Sequence, residues 1–264
     1  FTMRYKVVAC IPSKDCAWIF KKTLKHLSSF CHKIIISDDQ SIDETGDLCS
    51  GYDSVEYYRR PTRESGDRQG ALQRQELLVR AYKYDPDYFF FLDADEMPSP
   101  DIVDWINSLN SRHKEETNLW TFPWVHLWKD ENHYRIDSYT SLSGSTIHWN
   151  PFDTHNSFNY RKGFFVRNIP NYELKYDVTQ HRVRPSNQPI NVPEPWINVQ
   201  ERPVIIHYGK ISNYFLDEQN WKDRANWDSY EKGHDYESVL NHHRLSNSES
   251  TLELEPVKKE WFWE

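Results

Sequence analysis

Residues 88–96 read Tyr88-Phe89-Phe90-Phe91-Leu92-Asp93-Ala94-Asp95-Glu96. Five large apolar side chains with no polar break form the pattern of a strand buried on both faces. The run stops abruptly in two carboxylates separated by one small residue. Side chains of an extended segment alternate in direction, so Asp93 and Asp95 can turn to one side while Ala94 leaves room. Two converging carboxylates at the carboxyl end of a central strand suit a hard divalent cation with oxygen ligands. That end is also where open α/β sheets bind ligands.

Working outward, strands and helices alternate. Lys6–Ile11 is a short apolar strand closed by Pro12. Phe20, Leu24, Leu27 and Cys31 then mark one face of a helix. Lys33–Ser37 is a second strand running into Asp38-Asp39-Gln40-Ser41, which is turn chemistry. Val55–Tyr58 is a third, ended by Pro61. The spacing predicts a helix over 70–82 with Leu78, Ala81 and Tyr82 inward. After the acidic turn, Ser99-Pro100-Asp101 opens another helix with Ile102, Trp105, Ile106 and Leu109 on its apolar face. Such alternation builds a mostly parallel sheet with helices on both faces.

The second half is less regular. Leu119–Val125, Phe164–Val166 and Val204–Ile206 read as strands. Residues 129–160 show little period. Arg182–Pro203 carries five prolines and reads as an extended loop. Residues 245–256 are polar and acidic and are expected to be poorly ordered.

Composition narrows the class. A chain of 264 residues with 38% hydrophobic residues suits one α/β enzyme domain with an elaborated second half. Aromatics reach 15%, and they read first as core, then as ligand-stacking surfaces. A net charge of −8 argues against broad adhesion to nucleic acid. Cys10, Cys16, Cys31 and Cys49 form no C-x-x-C pair and crowd the first fifth of the chain. They read as free thiols in a reducing compartment. No apolar run approaches the ~18–20 residues of a transmembrane span. An internal Met3 suggests that Phe1 and Thr2 precede the natural start, and the abrupt aromatic end suggests continuation beyond 264.

The chemistry-bearing segments resemble those of a GT-A glycosyltransferase of the family-2-like group. Pro12-Ser13 ends the first strand, where that group begins its nucleotide pocket. Ser37-Asp38-Asp39-Gln40-Ser41-Ile42-Asp43 is similar to its V-D-D-x-S-x-D. Gly70-Ala71-Leu72-Gln73-Arg74-Gln75 resembles its Gly…Ala-Arg-Asn stretch, with Gln75 departing from the usual Asn. Asp93-Ala94-Asp95 resembles its D-x-D. His207-Tyr208-Gly209 looks like a late H-Y-G segment. The resemblance covers residues 5–110 and the block around 207; residues 111–203 do not align.

It implies a Rossmann-like GT-A fold. Residues 1–110 would form the nucleotide-sugar half, 111–244 the acceptor half, and 245–264 a C-terminal tail. Asp93 and Asp95, with His207 completing the shell, would hold Mn2+ or Mg2+ against a nucleotide diphosphate. Pro12, Ser13, Asp15, Asp38, Asp39 and Ala94 would line the nucleotide pocket, with Asp38 or Asp39 accepting the imide N–H of uracil or thymine. Arg63, Arg68 and Arg74 would meet the diphosphate.

Each residue also has a plainer reading. Asp93–Glu96 would be an acidic turn, Asp38 or Asp39 an Asx cap, the arginines solvated surface charge, and His207 a hydrogen-bonded core residue. Related sequences carry a His-Glu pair before the late strand; here Gln180-His181-Arg182 stands instead. Asp177, Asp153 and Glu173 are then the candidate general bases, with Asp177 nearest the expected position. If none of them reaches the acceptor, a retaining mechanism gains ground. His181 is a weaker metal candidate.

The implied activity is metal-dependent transfer of a sugar from a UDP or dTDP donor to a hydroxyl of a glycan or protein. A nucleic acid acceptor is disfavoured by charge, and the expected location is the cytoplasm or the inner face of a membrane. Two other classes fit parts of the pattern. A sugar nucleotidyltransferase would need a Gly-rich loop after the first strand, and Cys10–Cys16 has no glycine. A non-catalytic carbohydrate-binding domain would have no reason to bring Asp93, Asp95 and His207 together.

Overall fold

The computed structural model describes residues 3–61, 69–109, 119–140, 144, 146–153, 161–169, 174–177, 182–185, 196–211, 217–232, 235–250 and 252–264. The first half holds β1 (Val7–Ser13), α1 (Ala17–Phe30), β2 (Lys33–Asp38), α2 (Thr45–Ser50), β3 (Val55–Arg59), α3 (Gln69–Ala81), β4 (Tyr88–Phe91), β5 (Glu96–Pro98) and α4 (Ile102–Asn107). The second half adds β6 (Leu119–His126), β7 (His133–Arg135), β8 (Ser138–Thr140), β9 (Thr146–His148), β10 (Arg161–Arg167), β11 (Leu174–Asp177), β12 (Arg182–Pro185), β13 (Trp196–Asn198) and β14 (Ile205–His207). It closes with α5 (Glu218–Lys232), α6 (Tyr236–Ser246) and β15 (Leu254–Pro256).

Among the described residues, nine strands form one sheet in the order β3-β2-β1-β4-β10-β6-β14-β5, with β13 also on β6. Strands β1, β2, β3 and β4 pair in parallel. β10 runs antiparallel between β4 and β6, which restores the direction of β6, β13 and β14. β5 returns antiparallel at the far edge. The carboxyl ends of β1, β2, β3, β4, β6 and β14 therefore share one edge of the sheet.

The alternation of the 88–92 run divides it between two cores. Phe89 and Phe91 pack with Val8, Cys10, Ile35 and the α3 residues Leu77, Leu78 and Ala81. Tyr88, Phe90 and Leu92 face Phe20, Leu24 and Leu27 of α1 and Ile102 and Ile106 of α4. Residues expected inward on α1, α3 and α4 are buried, except Tyr82 and Trp105, which are only partly covered, and Leu77 joins the buried face of α3. Trp105, Trp120, Phe122 and Phe165 meet edge-on around this core, with ring centroids 5.0–5.9 Å apart. Trp120, Trp128 and Trp149 are buried, so much of the aromatic content of the second half is core.

Two expectations change. Arg182–Pro203 is not wholly loop: β12 pairs with β11, and β13 joins the main sheet. The acidic stretch after Ser246 is not loose, because β15 pairs with β7 and the Glu253 carbonyl accepts the Ile136 N–H. Beyond it, Trp261 is buried against Tyr134 and Phe152. Trp263 stacks on Phe30 and donates its indole N–H to the Pro98 carbonyl at 2.8 Å. Polarity misled here because partners contributed by β7 and α1 are remote in sequence. All four cysteines are free, three of them buried. No described helix is long and apolar enough to cross a membrane.

Trp261→Ala removes a buried aromatic from this seam. It should cost about 3–5 kcal/mol of stability, read as a lower urea midpoint with an unchanged slope.

Candidate active site at the carboxyl edge of the sheet

The edge is organised first by braces. Asp38, at the end of β2, is fully buried. It accepts the Ser41 N–H at 3.0 Å, the Tyr57 hydroxyl at 2.9 Å, the Ser13 hydroxyl at 3.5 Å and the Ser41 hydroxyl. Burial and this carboxylate push the Tyr57 phenol up to about 12, so it remains a donor. Asp38 thus serves as a turn brace, one of the two roles expected of the Asp38-Asp39 pair. Asp15 is a brace as well: its carboxylate accepts the Ile42 N–H at 2.8 Å, while its own N–H donates to the Ser41 hydroxyl at 2.8 Å. Asp43 reaches the start of α1, accepting the Ala17 N–H at 3.0 Å, and also accepts the Thr45 N–H at 3.0 Å. The similarity to V-D-D-x-S-x-D thus lies largely in residues that bind the β1–α1 and β2–α2 loops together.

Asp39 and Arg60 remain beside them. Both are largely buried, with Arg60 Nη1 3.9 Å from Asp39 Oδ1 and Arg60 Nε 3.0 Å from Glu76. Pro12 is half-buried and Ser13 buried at the end of β1. Gln73, unnoticed in the sequence, is buried and ties α3 to β2 by donating to the Ser37 carbonyl at 2.7 Å.

The acidic turn after β4 is closed by Glu96. Its carboxylate accepts the Asp93 N–H at 2.7 Å, and its own N–H donates to the Asp93 carbonyl at 3.1 Å. Ala94 is buried between the two aspartates. The expected ligand set then divides. Asp93 pairs with Arg74 at 2.7 Å, whereas Asp95 Oδ2 lies 3.3 Å from His207 Nε2. The Tyr208 N–H donates to the Asp95 carbonyl at 2.8 Å and locks the end of β14 to the turn. Among the described residues, no three His, Cys, Asp or Glu side chains are grouped to hold a metal ion.

Gly209 completes the pair. A Cβ at this position would lie 2.7 Å from Asp95 Oδ2 and 2.7 Å from His207 Cε1, so only glycine leaves the two groups their positions. One imidazole nitrogen and one carboxylate oxygen, held adjacent over a backbone lacking a side chain, fit a divalent cation as two of its ligands.

Burial pushes the Cys16 thiol up to about 12, with smaller contributions in the same direction from the charges of Asp95, Asp43 and Asp15. The thiol therefore stays neutral.

His126 is the residue sequence reading missed. It ends β6 in register with His207, and the two Nδ1 atoms are 3.0 Å apart. The available signal was that two apolar strands, Leu119–His126 and Ile205–His207, each end in histidine. The remaining candidates lie elsewhere. Asp153 is half-buried after Phe152, whose ring packs on Trp261. Asp177 ends β11, paired through its backbone with Arg182, and its side chain is outside the described residues. Arg63, Arg68, Glu173 and His181 also lie outside them.

The family profile described as glycosyl transferase family 2 matches residues 9–170, more than half of the chain. The chain belongs to glycosyl transferase family 2. The stretch matched by the family 2 profile runs from β1 through the acidic turn and β10, and so contains every brace described above. The fold is the GT-A arrangement of a mostly parallel, Rossmann-like sheet. No curated protein matches the sequence.

Solved structures similar to this family 2 chain include S. aureus TarS in complex with UDP, at 11% identity and a TM-score of 0.48, covering 90% of this chain and 70% of that one. The TarS complex with UDP-GlcNAc has 15% identity and a TM-score of 0.39, covering 46% of this chain and 35% of that one. Glucosyl-3-phosphoglycerate synthase from Mycobacterium tuberculosis, with Mn2+, UDP and glucosyl-3-phosphoglycerate, has 17% identity and a TM-score of 0.33 over 47% of this chain and 45% of that one. The chain thus spans 35% of the TarS chain in the UDP-GlcNAc comparison and 45% of the synthase.

Burial alone would raise the Asp43 carboxyl, but hydrogen bonds from Thr45 and from the Ala17 and Thr45 N–H groups outweigh it and hold it below the usual range. A depressed carboxyl contributes stability above its unfolded pKa of about 4, and the contribution fades as pH falls through the folded value. Asp43→Asn should flatten the acid limb of a Tm-against-pH profile below about pH 4.

Proposed function

We propose that this chain is a glycosyltransferase that moves a sugar from a nucleoside diphosphate, UDP or dTDP, onto an acceptor hydroxyl with the help of a divalent cation. The observation that carries the reading is the Asp95–His207 pair over Gly209 at the carboxyl edge of a family 2 sheet. Asp95 and His207 would hold the cation, which when bound supplies positive charge that offsets the departing diphosphate. A ligand set including imidazole favours Mn2+ over Mg2+.

Charge supports the need for such a cation. Asp15, Asp43 and Asp95 are carboxylates at this edge, and a diphosphate is itself an anion. The cation side would be supplied by the metal and by Arg74, whose guanidinium is fixed in place by Asp93 and offers donors in a planar fork. Asp39, held beside Arg60, would accept the imide N–H of a uracil or thymine ring and select those bases. The braces Asp38, Asp15 and Asp43 act indirectly, by keeping the loops around the nucleotide in one conformation. Acceptor activation falls to a carboxylate of the second half, with Asp177 and Asp153 the candidates. Its acceptor is the hydroxyl of a glycan or protein.

In a thermal-shift assay, UDP should raise Tm with Mn2+ present and have little effect after chelation. A response to a nucleoside triphosphate with a sugar phosphate, or to no nucleotide, would contradict the proposal. Purified protein should slowly release UDP from a UDP-sugar. Asp95→Ala should cut that rate roughly a hundredfold or more, as expected when several kcal/mol of charge stabilisation are lost. Gly209→Ala should cause a similar loss by displacing Asp95 and His207, while leaving the Tm within a few degrees. Retained turnover in Asp95→Ala would remove the metal assignment.

A further inference from the structure

His126 has no role in the reading above, yet it is a buried polar group at the same edge. Residues in register on neighbouring strands project to the same face, so the His126 and His207 imidazoles stand side by side. Their Nδ1 atoms are 3.0 Å apart. At that separation two lone pairs would repel, as would two N–H groups, so one nitrogen donates and the other accepts. The His126 ring is 2% exposed. Trp124 lies 4.1 Å from it and Trp149 4.6 Å, centroid to centroid, so close packing holds the ring where it is. The other nitrogen of His207, Nε2, faces Asp95.

A neutral imidazole presents a lone pair at only one nitrogen. For His207 to offer Nε2 to a cation, its proton must sit on Nδ1, and an acceptor must stand there. His126 Nδ1 is within hydrogen-bond distance of that atom. We propose that His126 is a positioning residue: it accepts the His207 Nδ1–H, fixes that tautomer and the plane of the ring, and so readies the Asp95–His207 pair for a divalent cation. His126 itself touches neither cation nor donor. The inference rests on the metal-dependent reading above and deepens it, since hydrogen-bonded partners of ligating histidines commonly govern metal affinity.

The test compares Mn2+ binding, read by electron paramagnetic resonance of the free ion, in the unaltered protein, His126→Phe and His126→Asn. Phenylalanine keeps a ring but no acceptor; the asparagine carboxamide oxygen can accept in place of Nδ1. His126→Phe should bind Mn2+ about 10–100-fold more weakly, and His126→Asn should stay within about threefold of the unaltered protein. Equal affinity in His126→Phe overturns the proposal, as does equal weakening in both variants, which would make the role one of packing. Histidine 1H–15N correlation spectra of the unaltered protein with Mg2+ and UDP give a readout independent of any variant. They should show His207 protonated at Nδ1, and protonation at Nε2 overturns the proposal. Absence of Mn2+ binding by the unaltered protein would defeat the functional reading itself, and this inference with it.

Discussion

The burial of β4 on both faces is the constraint from which the remainder follows. Tyr88, Phe90 and Leu92 belong to one core and Phe89 and Phe91 to the other, so the strand cannot slide by one residue without turning each set to the wrong layer. Its register with β1 on one side and β10 on the other is thereby fixed. Fixed too is the place where the apolar run ends and the acidic turn begins. The Glu96 carboxylate then holds that turn at its first residue. Asp95 is delivered to the end of β14 by packing, and only secondarily by hydrogen bonds.

A second layer of order comes from short polar side chains that hold loops. Asp38, Ser41, Asp43, Thr45 and Asp15 exchange hydrogen bonds between two loops that lie at the ends of β1 and β2. Gln73 adds a tie from α3, and Arg60 joins Asp39 to Glu76 on the same helix. The carboxyl edge at β1 and β2 is therefore a polar scaffold anchored to buried strands. Pre-organisation of this kind limits the conformational entropy lost when a ligand arrives.

Much of the fold was legible because the first half obeys local rules. The runs at Val7–Ile11, Lys33–Ser37 and Tyr88–Leu92 are apolar and short, and the helices between them carry clear faces. The sites were harder, for two physical reasons. Asp and Ser serve turn bracing and ligand contact with the same atoms, so the bracing by Asp38 and Asp15 showed only once their partners were visible. His126 was hidden because Trp124-Val125-His126-Leu127-Trp128 reads as an apolar strand, and its meaning depends on pairing with a residue 81 positions away. The C-terminal segment was misjudged for the same reason: Trp261 and Trp263 find their partners on β7, α1 and β5.

The placement of β10 has a further consequence. This strand is drawn from the second half, yet it lies between β4 and β6 at the centre of the sheet. A polypeptide cut after α4 would leave the aromatic flank of β4 with a row of unsatisfied peptide groups, an adhesive template for neighbouring chains. The two halves are thus interleaved rather than beaded. An excised first-half fragment would therefore be prone to aggregate.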